Sequence, residues 1–398
     1  MNENEIINVE TKFSAAVFSR RPLVAIRGKG ALIWDINGKE YIDCASAYGV
    51  SVVGHCHPKV VSAIKRQAGL LIACHSSLYN NTRANFLRKL MDITPIELKK
   101  TFLANSGTEA VETAIKLARR YTRKPEIIAF TGGYHGKTLG SLSATWKKKY
   151  RTPFEPLVPG FKHVPYGKID GLNEVITEKT AAIIVEPIQG ESGVNIPPEN
   201  FLKDLGDLCK KKKILLIFDE IQTGFGRTGR LFAFENTGVI PDILCLAKSI
   251  GGGVPLGITV STEEIMASFK LGDHTSTFSG NPLICAAASA ALDVILDERL
   301  PERAEVLGQY FKEKLEGLKN QYSIIRAVRG KGLMIGMELR FDVLNIILSS
   351  LKRNVILLDA GRNILRFLPP LVISKKQIDQ VVYILNEVIG EENAKLRC

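Results

Sequence analysis

Five short apolar runs, each closed by glycine or polar residues, recur through the middle of the sequence: Thr101 to Ala104, Ile127 to Phe130, Ala181 to Val185, Ile214 to Phe218 and Ile243 to Leu246. Runs of this kind, apolar throughout and without in-out alternation, are those of strands buried on both faces. Between several of them apolar residues recur at helical spacing, as in Ala110, Ala114, Leu117, Ala118 and Tyr121, and again in Phe201, Leu205 and Leu208. Strand alternating with helix is what a mostly parallel sheet demands, because each parallel neighbour must be reached by a crossover. The central region is therefore expected to be an α/β domain.

At 398 residues the chain exceeds one such unit. Gly30 to Asp43 carries two strand-like halves around Asn37-Gly38, a strong hairpin turn. Towards the other end, Pro301 to Leu318 is helical, Arg329 to Leu339, Val355 to Leu358 and Leu365 to Leu368 look like strands, and a last helix starts near Gln377. We expect residues 55–296 to form the large α/β domain, and residues 1–54 with 297–398 to form a smaller α+β domain from both chain ends.

Composition narrows the function classes. No run approaches the ~18 apolar residues of a membrane span, and the acidic start Met1-Asn2-Glu3-Asn4-Glu5 lacks the order of a secretory signal, so a cytoplasmic protein without a membrane partner is expected. The seven cysteines, Cys398 among them, are scattered without a C-x-x-C pair, which reads as reduced thiols. His55 and His57 do not share a helix face and have no carboxylate close in sequence, so no metal site is expected. A net charge of +12 favours acidic partners, yet the basic residues are dispersed and no nucleic-acid motif occurs, so nucleic acid is not expected. Lys210 to Lys213 fits the C-terminal turn of a helix.

Three features carry chemistry. Thr101 to Asn105 runs into Ser106-Gly107-Thr108-Glu109 and a helix, which makes either an anion cradle or a simple cap with Ser106 or Thr108 as its hydroxyl. Asp219-Glu220 follows an apolar strand, at the sheet edge where ligands of open α/β sheets bind, or in a turn. Lys248 ends the next strand, beside Gly251-Gly252-Gly253. Anion cradle, carboxylate and lysine on neighbouring strand ends are together what pyridoxal 5'-phosphate (PLP) requires: a Schiff-base lysine, a partner for the pyridine nitrogen and a phosphate site. Gly224 to Gly229 matches G-x-G-x-x-G, but no helix opens behind it, which argues against a dinucleotide site.

Asn105 to Ala110, Tyr134-His135-Gly136, Glu186 to Glu191, Asp219 to Gly224, Leu246-Ala247-Lys248 and Thr277 to Pro282 together resemble the class III aminotransferases, in the acetylornithine and ornithine branch. The resemblance covers nearly the whole chain. It implies PLP fold type I and a homodimer with shared active sites. It makes Lys248 the Schiff-base lysine and proton shuttle, and Asp219 the pyridinium partner. Ser106, Gly107 and Thr108 fall to the phosphate, Tyr134 and His135 to the cofactor ring, and Gln222 to its phenolic oxygen; Thr277 reaches the phosphate of the neighbouring subunit. On the substrate side it implies Arg366 for the α-carboxylate of glutamate, Glu191 as that arginine's removable partner or a static salt bridge, and Ser276 as a further contact. Lys137 departs from the family, which usually has arginine there for the distal carboxylate of the ω-amino substrate; lysine offers a point charge in place of a fork.

Within the branch, Gly140 to Trp146 and the following Lys147 to Pro156 resemble most closely the lysine-biosynthesis aminotransferases. That likeness, with the net charge of +12, leads to the expectation of a substrate carried by a small acidic amino-group carrier protein: carrier-bound 2-aminoadipate semialdehyde would take its amino group from glutamate, giving carrier-bound lysine and 2-oxoglutarate, and carrier-bound ornithine could form likewise. Lys147 to Lys149 would then steer the carrier, or form an ordinary solvated loop. The alternatives are an acetylornithine aminotransferase acting on a free small molecule and, from another class, a non-catalytic basic binding protein.

Overall fold

The computed structural model describes residues 1–395, so Cys398 lies outside the described residues. The large sheet has seven strands, in the order Lys100–Ala104, Gly257–Ser261, Ile243–Leu246, Leu215–Asp219, Thr180–Val185, Glu126–Phe130 and Phe161–Val164. The five from Ile243–Leu246 onward are mutually parallel, and Gly257–Ser261 runs antiparallel to both its neighbours. All five expected strands are present.

Two more were not foreseen. Phe161–Val164 is an edge strand carrying Lys162 and His163. Gly257–Ser261 is interrupted by two buried hydroxyls, but Thr259 donates to the Ala110 carbonyl (2.8 Å) and Ser261 to that of Asp242 (2.7 Å), so neither is left unpaired in the core.

Helices cover both faces, and alternate residues of each strand serve one face or the other. On one side the helix Gly107–Thr122 buries Ala110, Ala114, Leu117 and Ala118 against Ile127, Ile184 and Ile217. On the other, Phe201–Lys212 and Pro282–Asp297 share one continuous core with Ile128, Ile183, Phe218 and Leu244. The first of these two helices closes at Lys213 in the left-handed region (φ 55°), so the lysine run is indeed its last turn. No helix among the described residues is long and apolar enough to cross a membrane.

The chain ends build two four-stranded sheets. In one, Leu32–Asp35 and Glu40–Asp43 form the expected hairpin, with Gly38 at φ 79° and the Asp35 carboxylate accepting from the N–H of Asn37 and Lys39, both at 2.9 Å. Val355–Ile356, from the far end of the sequence, joins it in parallel beside Glu40–Asp43. The other is antiparallel throughout: Ile325–Lys331, Met334–Leu339, Ile364–Phe367 and Leu358–Asp359. Two expectations are corrected here. Arg329 to Leu339 is a reversal between two strands, made at Gly332 with φ 53°, and Val355 to Leu358 is divided between the two sheets.

Candidate active site

The strand ends converge on a cavity of about 490 Å³, and all but three of the expected site residues line it. Ser106 follows Lys100–Ala104 and is the N-cap of the 16-residue helix Gly107–Thr122, its hydroxyl accepting from the Glu109 N–H at 3.3 Å. The two readings of this segment therefore coexist. The cap satisfies Glu109, while the N–H groups of Gly107 and Thr108 lie in the helix's first turn, where no intrahelical acceptor exists, at the positive end of its dipole. Thr108 is not the cap; its hydroxyl bonds Ser141 (2.6 Å) and Thr138 (2.8 Å). A Cβ at Gly107 would stand 2.9 Å from Ile221, so that position requires glycine.

Asp219 ends Leu215–Asp219, and its carboxylate accepts from the Ile221 N–H (3.1 Å) and from His135 Nδ1 (2.7 Å). Burial alone would pull the imidazole of His135 down, but its bond to Asp219 and that residue's charge hold it above the usual histidine value. Its Nε2 is buried without a partner.

Lys248 follows Ile243–Leu246 in the left-handed region, at φ 44°, a strained conformation for lysine that a surrounding fold must impose. Burial pulls its ammonium below the ordinary lysine value, and Arg366 adds to this against the opposing charges of Glu191 and Asp219. The neutral amine, the form that acts as nucleophile and base, is thereby favoured.

Arg366, on Ile364–Phe367, stands behind the cavity wall with no exposed side-chain surface. Its Nη1 donates to Glu191 at 2.7 Å and to Gln222 Oε1 at 3.4 Å, while Nε and Nη2 have no partner among the described residues. Glu191 keeps 22% of its side chain exposed. Burial would raise its carboxyl, but the charges of Arg366, Lys248 and Lys147 hold it below the usual glutamate value. Lys137 lies at the exposed rim, its Nζ 4.6 Å from the centre of the Tyr150 ring. Tyr134 lines the cavity, its phenol pushed up to about 12 by burial and by Glu191. Ser276 and Thr277 do not line it: Ser276 accepts from Asn105 Nδ2 at 2.9 Å, and Thr277 is exposed.

Three contributors escaped the sequence reading of the site. Glu186 accepts from the Tyr134 N–H (2.8 Å) and the Gly190 N–H (3.1 Å), which fixes the Tyr134 turn, and burial pushes its carboxyl up to about 7. Gly190 leaves room for Gln222, whose Oε1 would be 2.1 Å from a Cβ there. Tyr48 lies 5.5 Å from the Arg366 guanidinium and ends three successive left-handed residues, Ser46, Ala47 and Tyr48, a turn no composition signal marks. His55 and His57, by contrast, point to separate carboxylates, Asp43 (2.6 Å) and Glu298 (3.1 Å).

The family model for aminotransferase class-III matches residues 14–389. The chain belongs to the class-III aminotransferases. This aminotransferase is 47% identical to the acetylornithine aminotransferase of Methanopyrus kandleri over 384 residues, covering 96% of this chain and 97% of that one. Among solved structures, it matches acetylornithine aminotransferase from Elizabethkingia anophelis with a TM-score of 0.88 and 37% identity, over 98% of this chain and 100% of that one. It also matches ornithine aminotransferase from Toxoplasma gondii, crystallised with oxidised glutathione and carrying partial PLP, with a TM-score of 0.95 and 34% identity, over 99% and 96%.

The class-III aminotransferase is thus a PLP enzyme of fold type I, and the binding-protein alternative falls. Its cavity fits that cofactor. A helix N-terminus whose first N–H groups have no intrahelical acceptor suits a phosphate, a buried carboxylate suits a pyridine nitrogen, and a half-buried lysine lines the same cavity. The carrier-bound substrate is overturned, because relatives matching this aminotransferase end to end are named for acetylornithine, a free small molecule. The physical basis for a carrier dock is also weak. Lys147 is half-buried, donating to the Glu191 carbonyl at 3.0 Å, instead of standing in solvent.

Proposed function

We propose that the enzyme moves the terminal amino group of free N-acetylornithine to 2-oxoglutarate, giving glutamate. The relatives named for acetylornithine support the choice of substrate. The observation that carries it in the site is the Glu191 to Arg366 contact at 2.7 Å. The two amino donors differ at the reacting carbon: glutamate bears a carboxylate there, and the terminal carbon of N-acetylornithine bears none. One site must offer a cation to the first and hide it from the second. Glu191 hides it, and the two unpaired nitrogens of Arg366 are the donors that a carboxylate would engage as a fork. Removing the partner of a buried charge costs about 3 to 5 kcal/mol, so Glu191 leaves only as the glutamate carboxylate arrives.

Bound PLP supplies an electron sink for the bond that breaks at the reacting carbon. Lys248 holds and moves the proton there, Gly107 and Thr108 would hold the phosphate with Ser106 shaping the turn, and Asp219 would keep the pyridine nitrogen protonated with His135 behind it. Tyr134 would pack on the ring and Gln222 would meet its phenolic oxygen. We also divide the chain into a small domain of 1–54 with 297–398 and a large one of 55–296, and place the protein in the cytoplasm.

A homodimer completes the reading. Leu70, Leu78, Tyr79 and Phe278 are exposed apolar residues on two loops that Arg83 ties together through Leu78, Cys74 and Gly280, and Thr277 sits on that face. A second copy covering it would bring Thr277 and Ser276 to a neighbouring site.

The test is Glu191→Gln, with the two half-reactions followed separately. Loss of the negative charge exposes Arg366, so selectivity for N-acetylornithine over glutamate should fall about tenfold or more. Unchanged selectivity would make the contact a static salt bridge and remove the main support.

A further inference from the structure

A second cavity of about 730 Å³ adjoins the first and shares Glu191 with it; Trp146, Lys147, Tyr150 and Asp359 are among its walls. Three ammonium groups gather where the two meet. Lys147 donates to the Glu191 carbonyl at 3.0 Å, while Lys137 and Lys149 lie 4.6 and 5.0 Å from the centre of the same Tyr150 ring. Tyr150 packs edge-on against the cavity residue Tyr134, with centroids 6.2 Å apart. Among the described residues none of the three forms a salt bridge with a carboxylate.

An ammonium carries three donors, and Lys147 spends one of them on a carbonyl. Burial above all, then the neighbouring charge of Lys149, pulls its ammonium below the ordinary value, against the opposing charges of Glu191 and Asp359. Such a cluster is relieved by an anion. The anion available on this side is the carboxylate of the ω-amino substrate, because the reacting end is taken up by Lys248 and Arg366 on the other side of Glu191.

We propose that Lys147 and Lys149 complete, with Lys137, the subsite for the substrate carboxylate farthest from the reacting amine. Two point charges over one tyrosine and a third on the Glu191 carbonyl stand in for the single guanidinium fork that the family usually has at position 137. This rests on free N-acetylornithine being the substrate.

N-acetylputrescine, which is N-acetylornithine without its carboxylate, separates the possibilities. Single-turnover rates of the holoenzyme with each amine give a preference ratio for the wild type, for Lys147→Gln and for Lys149→Gln. Lys149 is exposed, so its variant tests the subsite even where the Lys147 variant folds poorly. The subsite predicts that each substitution lowers the ratio by about tenfold, the worth of one charge-assisted contact. A merely structural role would slow both amines alike and leave the ratio intact in both variants, which would overturn the subsite alone. A wild type that does not process N-acetylornithine would overturn the substrate reading and the subsite with it.

Discussion

Asp219 and Glu220 are adjacent carboxylates with opposite tasks. Asp219 faces the cavity, whereas Glu220 turns away and accepts from the N–H of Ala233 (2.7 Å) and Phe234 (2.9 Å) and from the Thr223 hydroxyl (2.9 Å), pinning the loop that carries Gln222. Burial nonetheless pushes the Glu220 carboxyl from 4.5 up to about 7. Between those values the unfolded chain has released a proton that the folded chain retains, so this group's contribution is complete below pH 4.5, declines as pH rises towards about 7, and is flat above. Urea unfolding of the apoprotein at about pH 5 and about pH 8 should show a smaller loss of stability for Glu220→Gln than for wild type. Identical losses would mean that Glu220 titrates normally. Such a division of labour was not legible in Asp219-Glu220 as a pair of letters, although the placement of Asp219 and Lys248 was, because each follows an apolar run that had to end at the sheet edge. Tyr48, Glu186 and Gly190 were not legible, since each acts through a contact with a distant segment.

Between elements, close approach decides what the site tolerates. The turn after Thr180–Val185 must pass Gln222 with no side chain in between, so Gly190→Ala should displace Gln222 and loosen its 3.4 Å contact with Arg366. A loss of about tenfold in PLP affinity is expected, read by titrating the apoprotein with cofactor. Retention of wild-type affinity would show that Gln222 relaxes freely. At this scale the five buried strands could be read because both their faces are covered. Gly257–Ser261 could not, since Thr259 and Ser261 look polar until their acceptors are seen. Arg329 to Leu339 misled for a related reason: apolar content continues through a reversal that only the positive φ of Gly332 reveals.

For the whole molecule, the net charge of +12 was the least specific guide. It suggested an acidic macromolecular partner, whereas Lys137 and Lys149 near the active site lie over the Tyr150 ring and Lys147 donates to the Glu191 carbonyl. The exposed apolar loops are the stronger statement about assembly. Tyr79 is fully exposed, and Leu70 and Phe278 remain 74% and 65% exposed in the single chain. Light scattering on the purified enzyme should give twice the chain mass of 43.8 kDa, and Leu78→Glu with Tyr79→Glu should yield monomers with little activity. Fully active monomers would refute shared sites. The central claim, a free acylated amino acid as amino donor, is met most directly by 2-oxoglutarate-dependent turnover of N-acetylornithine beside unmodified ornithine. The account predicts efficient glutamate formation with N-acetylornithine, at a kcat/KM about tenfold or more above that for ornithine. Preference for ornithine, or no turnover of N-acetylornithine, would contradict it.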